Sequence, residues 1–266
     1  MSVLHALALG IVQGLTEFLP VSSTAHLTFL EQLFALPAEG RLMLDVFLHL
    51  GTVLALLVFF AGRIARLIGD LFRPDPARRA RAWRLVLAIV IGTIPAGIAG
   101  YLLKDRLEAV FATTLWSALF LLVTGCVLFA TRWAQEKRST AGWFDGLVVG
   151  AAQAVALLPG ISRSGSTIAA ALFLGLTRSE AFEFSFLLSI PAVLGAAALK
   201  LKDSSLLRGG MTLSLPLLLG VALSFLTGLL ALFWVRRLLL QKRFHWFAFY
   251  CWIVGALALV LSLTRR

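Results

Sequence analysis

The sequence predicts an all-α integral membrane protein, one polytopic domain built as an inverted repeat. Three observations lead there. Of its 266 residues 60% are hydrophobic and 14% charged, with mean hydropathy +0.93; soluble domains carry nearer a quarter charged residues. Apolar stretches near 43–61, 85–103, 114–131, 181–199, 212–235 and 246–264 approach the ~20 residues that cross a bilayer as a helix. Two further apolar segments, 3–36 and 143–177, are interrupted in the middle and resemble each other.

Each interrupted segment has an apolar half, a break, and a second apolar half. Pro20 and the Pro159-Gly160 pair stop a helix, because proline lacks the N–H and glycine leaves the backbone loose. The Ser and Thr residues that follow are good N-caps for a restart. "GIVQGLTEFLPVSS" (10–23) lies over "GAAQAVALLPGIS" (150–162), so that Gly10 meets Gly150, Gln13 meets Gln153 and Ser23 meets Ser162. Three candidate spans follow each copy. Three is odd, so re-entrant breaks leave the second copy upside down relative to the first. The repeats run over about 1–135 and 141–266.

Charge orients the chain. Seven arginines fall between residues 62 and 84, which places that loop inside and the amino terminus outside. Arg41, Lys104, Arg106, Lys200, Lys202, Arg208, Arg265 and Arg266 are left for the outer side. The first residues lack a basic n-region and an A-x-A-like cleavage site, so they read as mature sequence. The net charge of +11 reads as attraction to anionic lipid, not nucleic acid. Cys126 and Cys251 lie in apolar runs and read as buried small apolar residues, not a disulfide or metal site. Trp and Tyr residues, such as Trp83, Trp143 and Trp246 at span ends, read as an interface belt. Gly97, Gly100 and Gly195 read as close helix packing, and Arg178 with Glu180 as an interfacial pair.

Ionisable groups at membrane depth are costly, so each is a functional candidate: Glu17, His26, Asp45, His49, Arg163 and Glu183. At both breaks a half-helix restarts with free N–H groups and its positive dipole end pointing inward, which favours an anion. Arg163 adds a planar donor fork suited to phosphate or carboxylate. Ser162, Ser164, Ser166 and Thr167 add hydroxyl donors beside it, and Ser22 and Thr24 do so at the first break. Glu17 suits a divalent cation bridging to phosphate, or the proton of a nucleophile. Ser23 and His26 stand at N-cap and N3 spacing. Either His26 merely caps the helix, or Ser23, His26 and Glu17 form a nucleophile and acid–base group. Asp45 and His49 share a helix face, either supporting the site or sitting at the wet interface. Glu183 lies deep enough to need a polar partner.

"QGLTEFLPVSSTAH" followed by "PGISRSGST" resembles the two signature motifs of the undecaprenyl-diphosphatase family, bacterial membrane enzymes linked to bacitracin resistance. "HLGTVLALLVFF" (49–60) and "EFSFLLSIPA" (183–192) resemble stretches that accompany them. The resemblance implies a helical inverted repeat with two re-entrant hairpins. It also implies removal of the terminal phosphate from undecaprenyl diphosphate, with Mg²⁺ or Ca²⁺ required. It makes Glu17 the essential acid, Ser23 and His26 catalytic, and Arg163 the diphosphate-binding arginine with Ser162 and Thr167 beside it. Which of Ser23 and His26 attacks phosphorus stays open. The chain departs from the family pattern twice, with Gln13 for an acidic residue near the metal and Ala25 for the glycine before the histidine. Gln13 still offers a carbonyl oxygen to a cation, without charge.

The expected function is therefore hydrolysis of a polyprenyl diphosphate lipid at the outer face of the bacterial inner membrane, for cell-wall synthesis. A lipid-phosphate or anion transporter of the same fold is the alternative, and a catalytically silent relative a third. The lipid and the membrane are the expected partners, nucleic acid is not, and a homodimer is left open.

Overall fold

The computed structural model describes residues 2–34, 38–103, 114–203 and 214–264. Side chains 38–43 and 196–203 are outside that description, as are residues 104–113, 204–213 and the two ends. The eight basic residues assigned to the outer side all lie there.

Ten α-helices are described: α1 (Val3–Phe18), α2 (Ser23–Leu33), α3 (Ala38–Leu71), α4 (Pro76–Leu102), α5 (Thr114–Ala130), α6 (Trp143–Val155), α7 (Arg163–Phe173), α8 (Arg178–Asp203), α9 (Leu215–Leu240) and α10 (Phe247–Thr264). Among the described residues five stretches are long and apolar enough to cross a membrane, Leu44–Leu71, Pro76–Leu102, Thr114–Trp133, Leu215–Leu240 and Phe244–Thr264. The chain is a multi-pass, all-helical membrane protein. The helices outrun the apolar stretches at the arginine-rich ends, since arginine ends a hydropathy window but favours helix. Asp75 starts α4, accepting from the Ala77 and Arg78 N–H groups at 2.9 and 3.3 Å with Pro76 in the first turn. Large apolar side chains such as Leu54, Val58, Leu87, Val90, Ile94 and Ile98 are exposed along α3 and α4, an outer surface made for lipid.

The two interrupted segments are broken helices. α1 and α2 have 16 and 11 residues, α6 and α7 have 13 and 11. At about 1.5 Å per residue each is shorter than the ~30 Å hydrocarbon core. Leu19, before Pro20, is extended at ψ 143, as the proline ring demands of its neighbour. Gly160 has φ +96, and a Cβ there would lie 2.2 Å from the Ser117 carbonyl oxygen. Only glycine fits that turn.

The halves grip each other through their short first helices. α1 lies along α9, and α6 along α4. A Cβ on Gly10 would come within 2.4 Å of the Gly220 carbonyl oxygen, and one on Gly150 within 2.3 Å of that of Gly92. Backbones this close gain dispersion contacts where lipid removes the usual hydrophobic drive. Among the described residues a Cβ on Gly97 or Gly195 would meet nothing within 4 Å and one on Gly100 only Leu157 at 3.8 Å, whereas Gly10, Gly14, Gly146 and Gly150 stand at backbone contact. Gly150→Ala is expected to cost about 1–3 kcal/mol by overpacking and to reduce the monodisperse fraction in detergent. Gly62→Ala, with nothing within 4 Å of the added methyl, is expected to be neutral or slightly stabilising.

Phe18, Phe182 and Phe186 fill the centre, with Phe18 edge-on to Phe186 at 5.7 Å. Arg63 holds Glu183 at 2.6 Å, the polar partner its depth requires. Arg178 pairs with Glu136, not Glu180; Glu180 accepts instead from the Ala141 N–H at 3.1 Å. The 134–141 loop bends back over the start of α8 through backbone bonds from Arg138 to Gly175 (3.0 Å) and Thr177 to Arg138 (2.9 Å), and sequence spacing cannot anticipate that. Partial burial pushes the Glu136 carboxyl up, yet the Arg178 N–H and guanidinium hold it below the usual range. Cys251 is buried as expected, but Cys126 is exposed, because its side of α5 points outward.

Candidate active site

The two breaks meet. A Cβ on Gly165 would lie 3.2 Å from Pro20 Cβ, and Ser164 Oγ donates to the Leu19 carbonyl at 3.3 Å. Thr124 of α5 holds the second break, donating to the Gly160 carbonyl at 2.9 Å and accepting from the Ser162 N–H at 3.1 Å. Ser162 caps α7, accepting from the Gly165 N–H at 3.1 Å. Cys251 of α10 reaches the Pro20 carbonyl at 3.5 Å. At the first break the cap is Ser22, not Ser23. Ser22 has φ +66, a left-handed conformation that a side chain tolerates only under constraint. Ala25 is an ordinary helical residue inside α2, so its methyl is accommodated.

Glu17 is the hub. Its Oε1 accepts from Arg163 Nη2 at 2.5 Å. Its Oε2 accepts from Ser23 Oγ at 2.7 Å and Gln13 Nε2 at 3.1 Å, with His49 Nε2 at 3.7 Å. The Glu17 side chain is 8% exposed and that of Arg163 19%, so little water screens the pair. The carboxylate stands where it can take the Ser23 proton. Arg163 Nη1 is buried and has no hydrogen-bond partner among the described residues. One amino group thus holds the carboxylate while the other is left for a ligand. Gln13 Oε1 is likewise buried and unpartnered.

Of the remaining expected residues, Ser162, Ser164 and Thr167 are buried. Thr167 donates back to the Arg163 carbonyl at 2.8 Å, while Ser162 and Ser164 lie 3.2 Å apart. Ser166 and Thr24 are half-buried and Ser22 buried. His26 does not join the Glu17 cluster, nor does it cap as a third-position side chain would. Its Nδ1 donates to the Ser22 carbonyl at 2.9 Å, and its Nε2 lies 2.9 Å from the Tyr250 hydroxyl. His49 belongs to the site side of its two readings, held by Nδ1 against the Asp45 carbonyl at 2.7 Å. Tyr250 and Thr124 escaped sequence reasoning. Tyr250 passed for interface belt, and Thr124 is one hydroxyl in an apolar span.

Among the described residues no group of three or more His, Cys, Asp or Glu side chains could hold a metal ion. Glu17 offers a carboxylate to a cation, while Gln13 Oε1 would join it only with the amide turned over, since its nitrogen faces Glu17 at 3.1 Å; other positions would fall to ligand oxygens and water.

Fold and site together define a polytopic helical membrane protein with a buried Glu17–Arg163 pair where two broken helices meet. The family described as "Bacitracin resistance protein BacA" matches residues 6–257, and the chain belongs to that family. It is 41% identical over 284 residues to the undecaprenyl-diphosphatase of Methanobrevibacter smithii, covering 100% of this chain and 99% of that protein. Those of Desulfatibacillum aliphaticivorans (42% over 274 residues, 97% and 98% covered) and Alkaliphilus metalliredigens (39% over 279, 99% and 100%) are similar.

Proposed function

We propose that the chain hydrolyses undecaprenyl diphosphate to undecaprenyl phosphate and inorganic phosphate, recycling the carrier lipid for cell-wall synthesis and so conferring bacitracin resistance. One observation carries the reading beyond family membership. Glu17 accepts the Ser23 hydroxyl at 2.7 Å and pairs with Arg163 at 2.5 Å, and this cluster supports a nucleophile, a base and an anion-binding cation acting together. Ser23 Oγ attacks the terminal phosphorus as its proton passes to Glu17. The bond to the bridging oxygen breaks, and undecaprenyl phosphate leaves. Water then hydrolyses the phosphoserine, releasing phosphate. Arg163 Nη1 and the N–H groups opening α2 and α7 stabilise charge on the phosphoryl oxygens. Ser22, Thr24, Ser162, Ser164, Ser166 and Thr167 line this centre as substrate-binding hydroxyls, and His26 serves acid–base chemistry beside it. Mg²⁺ or Ca²⁺, held by Glu17 and Gln13, would neutralise diphosphate charge.

The lipid tail lies between helices in the bacterial inner membrane. The arginine-rich 62–84 segment, the end of α3 and the start of α4, is cytoplasmic, the second repeat is inverted on the first, and the site opens outward. Purified protein given farnesyl or undecaprenyl diphosphate with Mg²⁺ is expected to release phosphate; a folded protein that releases none refutes the hydrolase. Ser23→Ala is expected to cut release at least a hundredfold, within the range of lost nucleophilic and acid–base catalysis, while diphosphate still binds. A carrier of the same fold would instead move lipid phosphate with Ser23→Ala unimpaired.

A further inference from the structure

We propose that Tyr250 is a positioning residue for His26, fixing its ring plane while the Ser22 carbonyl fixes its tautomer; this rests on the hydrolase reading above. His26 stands one turn beyond Ser23 on α2, and both of its ring nitrogens are engaged. A carbonyl oxygen only accepts, so the 2.9 Å contact with the Ser22 carbonyl puts a proton on Nδ1. Nε2 of the neutral ring is then the lone-pair nitrogen, and the Tyr250 hydroxyl donates to it at 2.9 Å. The two rings also stack, 5.7 Å apart and 13° from parallel. The two residues are 224 positions apart in the chain. α10 touches the hairpin at two successive positions, Tyr250 on His26 and Cys251 on the Pro20 carbonyl. The left-handed turn at Ser22 completes the clamp by aiming its carbonyl at Nδ1. Tyr250 is 44% exposed, as an interface-belt tyrosine is, yet its hydroxyl also engages one side chain at 2.9 Å. The basic nitrogen of His26 is thereby held at the Tyr250 hydroxyl, so a proton reaches or leaves it through that hydroxyl.

Tyr250→Phe keeps the stacking ring and removes only the hydroxyl. Its kcat for phosphate release is expected to fall about tenfold, the scale of one directed hydrogen bond, with KM within about twofold. In a His26→Ala background the same change is expected to have no further effect. ¹⁵N spectra of histidine-labelled protein give a readout independent of catalysis. The chain has four histidines, and the His26 signals are those lost in His26→Ala. Tyr250→Phe is expected to move the His26 Nε2 shift towards a free imidazole nitrogen. An unchanged Nε2 shift, an unchanged kcat, or an equal loss in the His26→Ala background overturns the assignment. If the parent protein releases no phosphate, the hydrolase reading fails, while the spectra still decide the role of Tyr250.

Discussion

Glu17→Gln is expected to lower phosphate release by about a thousandfold or more. The amide keeps the shape of the side chain but loses both functions of the carboxylate. It no longer takes the Ser23 proton, a contribution of roughly 10²–10⁴ in rate for a placed base. It also leaves Arg163 without a counter-charge, and removing one partner of a buried ion pair costs about 3–5 kcal/mol. The variant should therefore be both inactive and less stable, with a lower Tm in detergent than the parent. Phosphate release per folded protein, normalised by size-exclusion profile, separates the two effects. Retention of more than about a tenth of the activity would remove Glu17 from the base role.

Arg163→Lys is expected to cost at least about a hundredfold in kcat/KM despite keeping the charge. The guanidinium does two things at once in this geometry. Nη2 holds Glu17 at 2.5 Å, while Nη1 is buried and unpartnered. A lysine ammonium is a point charge on a flexible stem and cannot hold a carboxylate and a phosphoryl oxygen in the same fixed plane. Arginines that stabilise phosphoryl-transfer transition states elsewhere contribute about 10³–10⁵, so a hundredfold is a modest expectation. Diphosphate titration with phosphate readout measures it. A lysine variant within tenfold of the parent would show that charge alone suffices and that the fork is not used.

The helical membrane class and the two breaks were legible because their causes are local. Apolar runs of bilayer length, Pro20 and the Pro159-Gly160 pair each act within a few residues of themselves. The value of Glu17 and Arg163 was legible too, since a charge in lipid needs a reason. Other readings failed where a residue's role depends on what faces it. Arg178 was matched to the nearest acid in sequence, but the chain folds Glu136 onto it. Gly97 and Gly195 look like packing glycines, but among the described residues a Cβ on either would meet nothing within 4 Å. Tyr250 has the composition and place of an interface tyrosine, and only its 2.9 Å contact with His26 distinguishes it.

The sequence by itself determined that this chain crosses the membrane as helices, that two of its segments break midway, and which side chains are too costly to be idle. Hydropathy and helix termination are short-range properties, set by bonds between residues a turn apart. Tertiary structure decided the partnerships. Glu17 meets Arg163 across 146 positions of chain, and His26 meets Tyr250 across 224. These distances close because glycines let α1 lie on α9 and α6 on α4 at backbone contact. Which charge answers which is settled by that packing, since no local interaction along the chain carries the information.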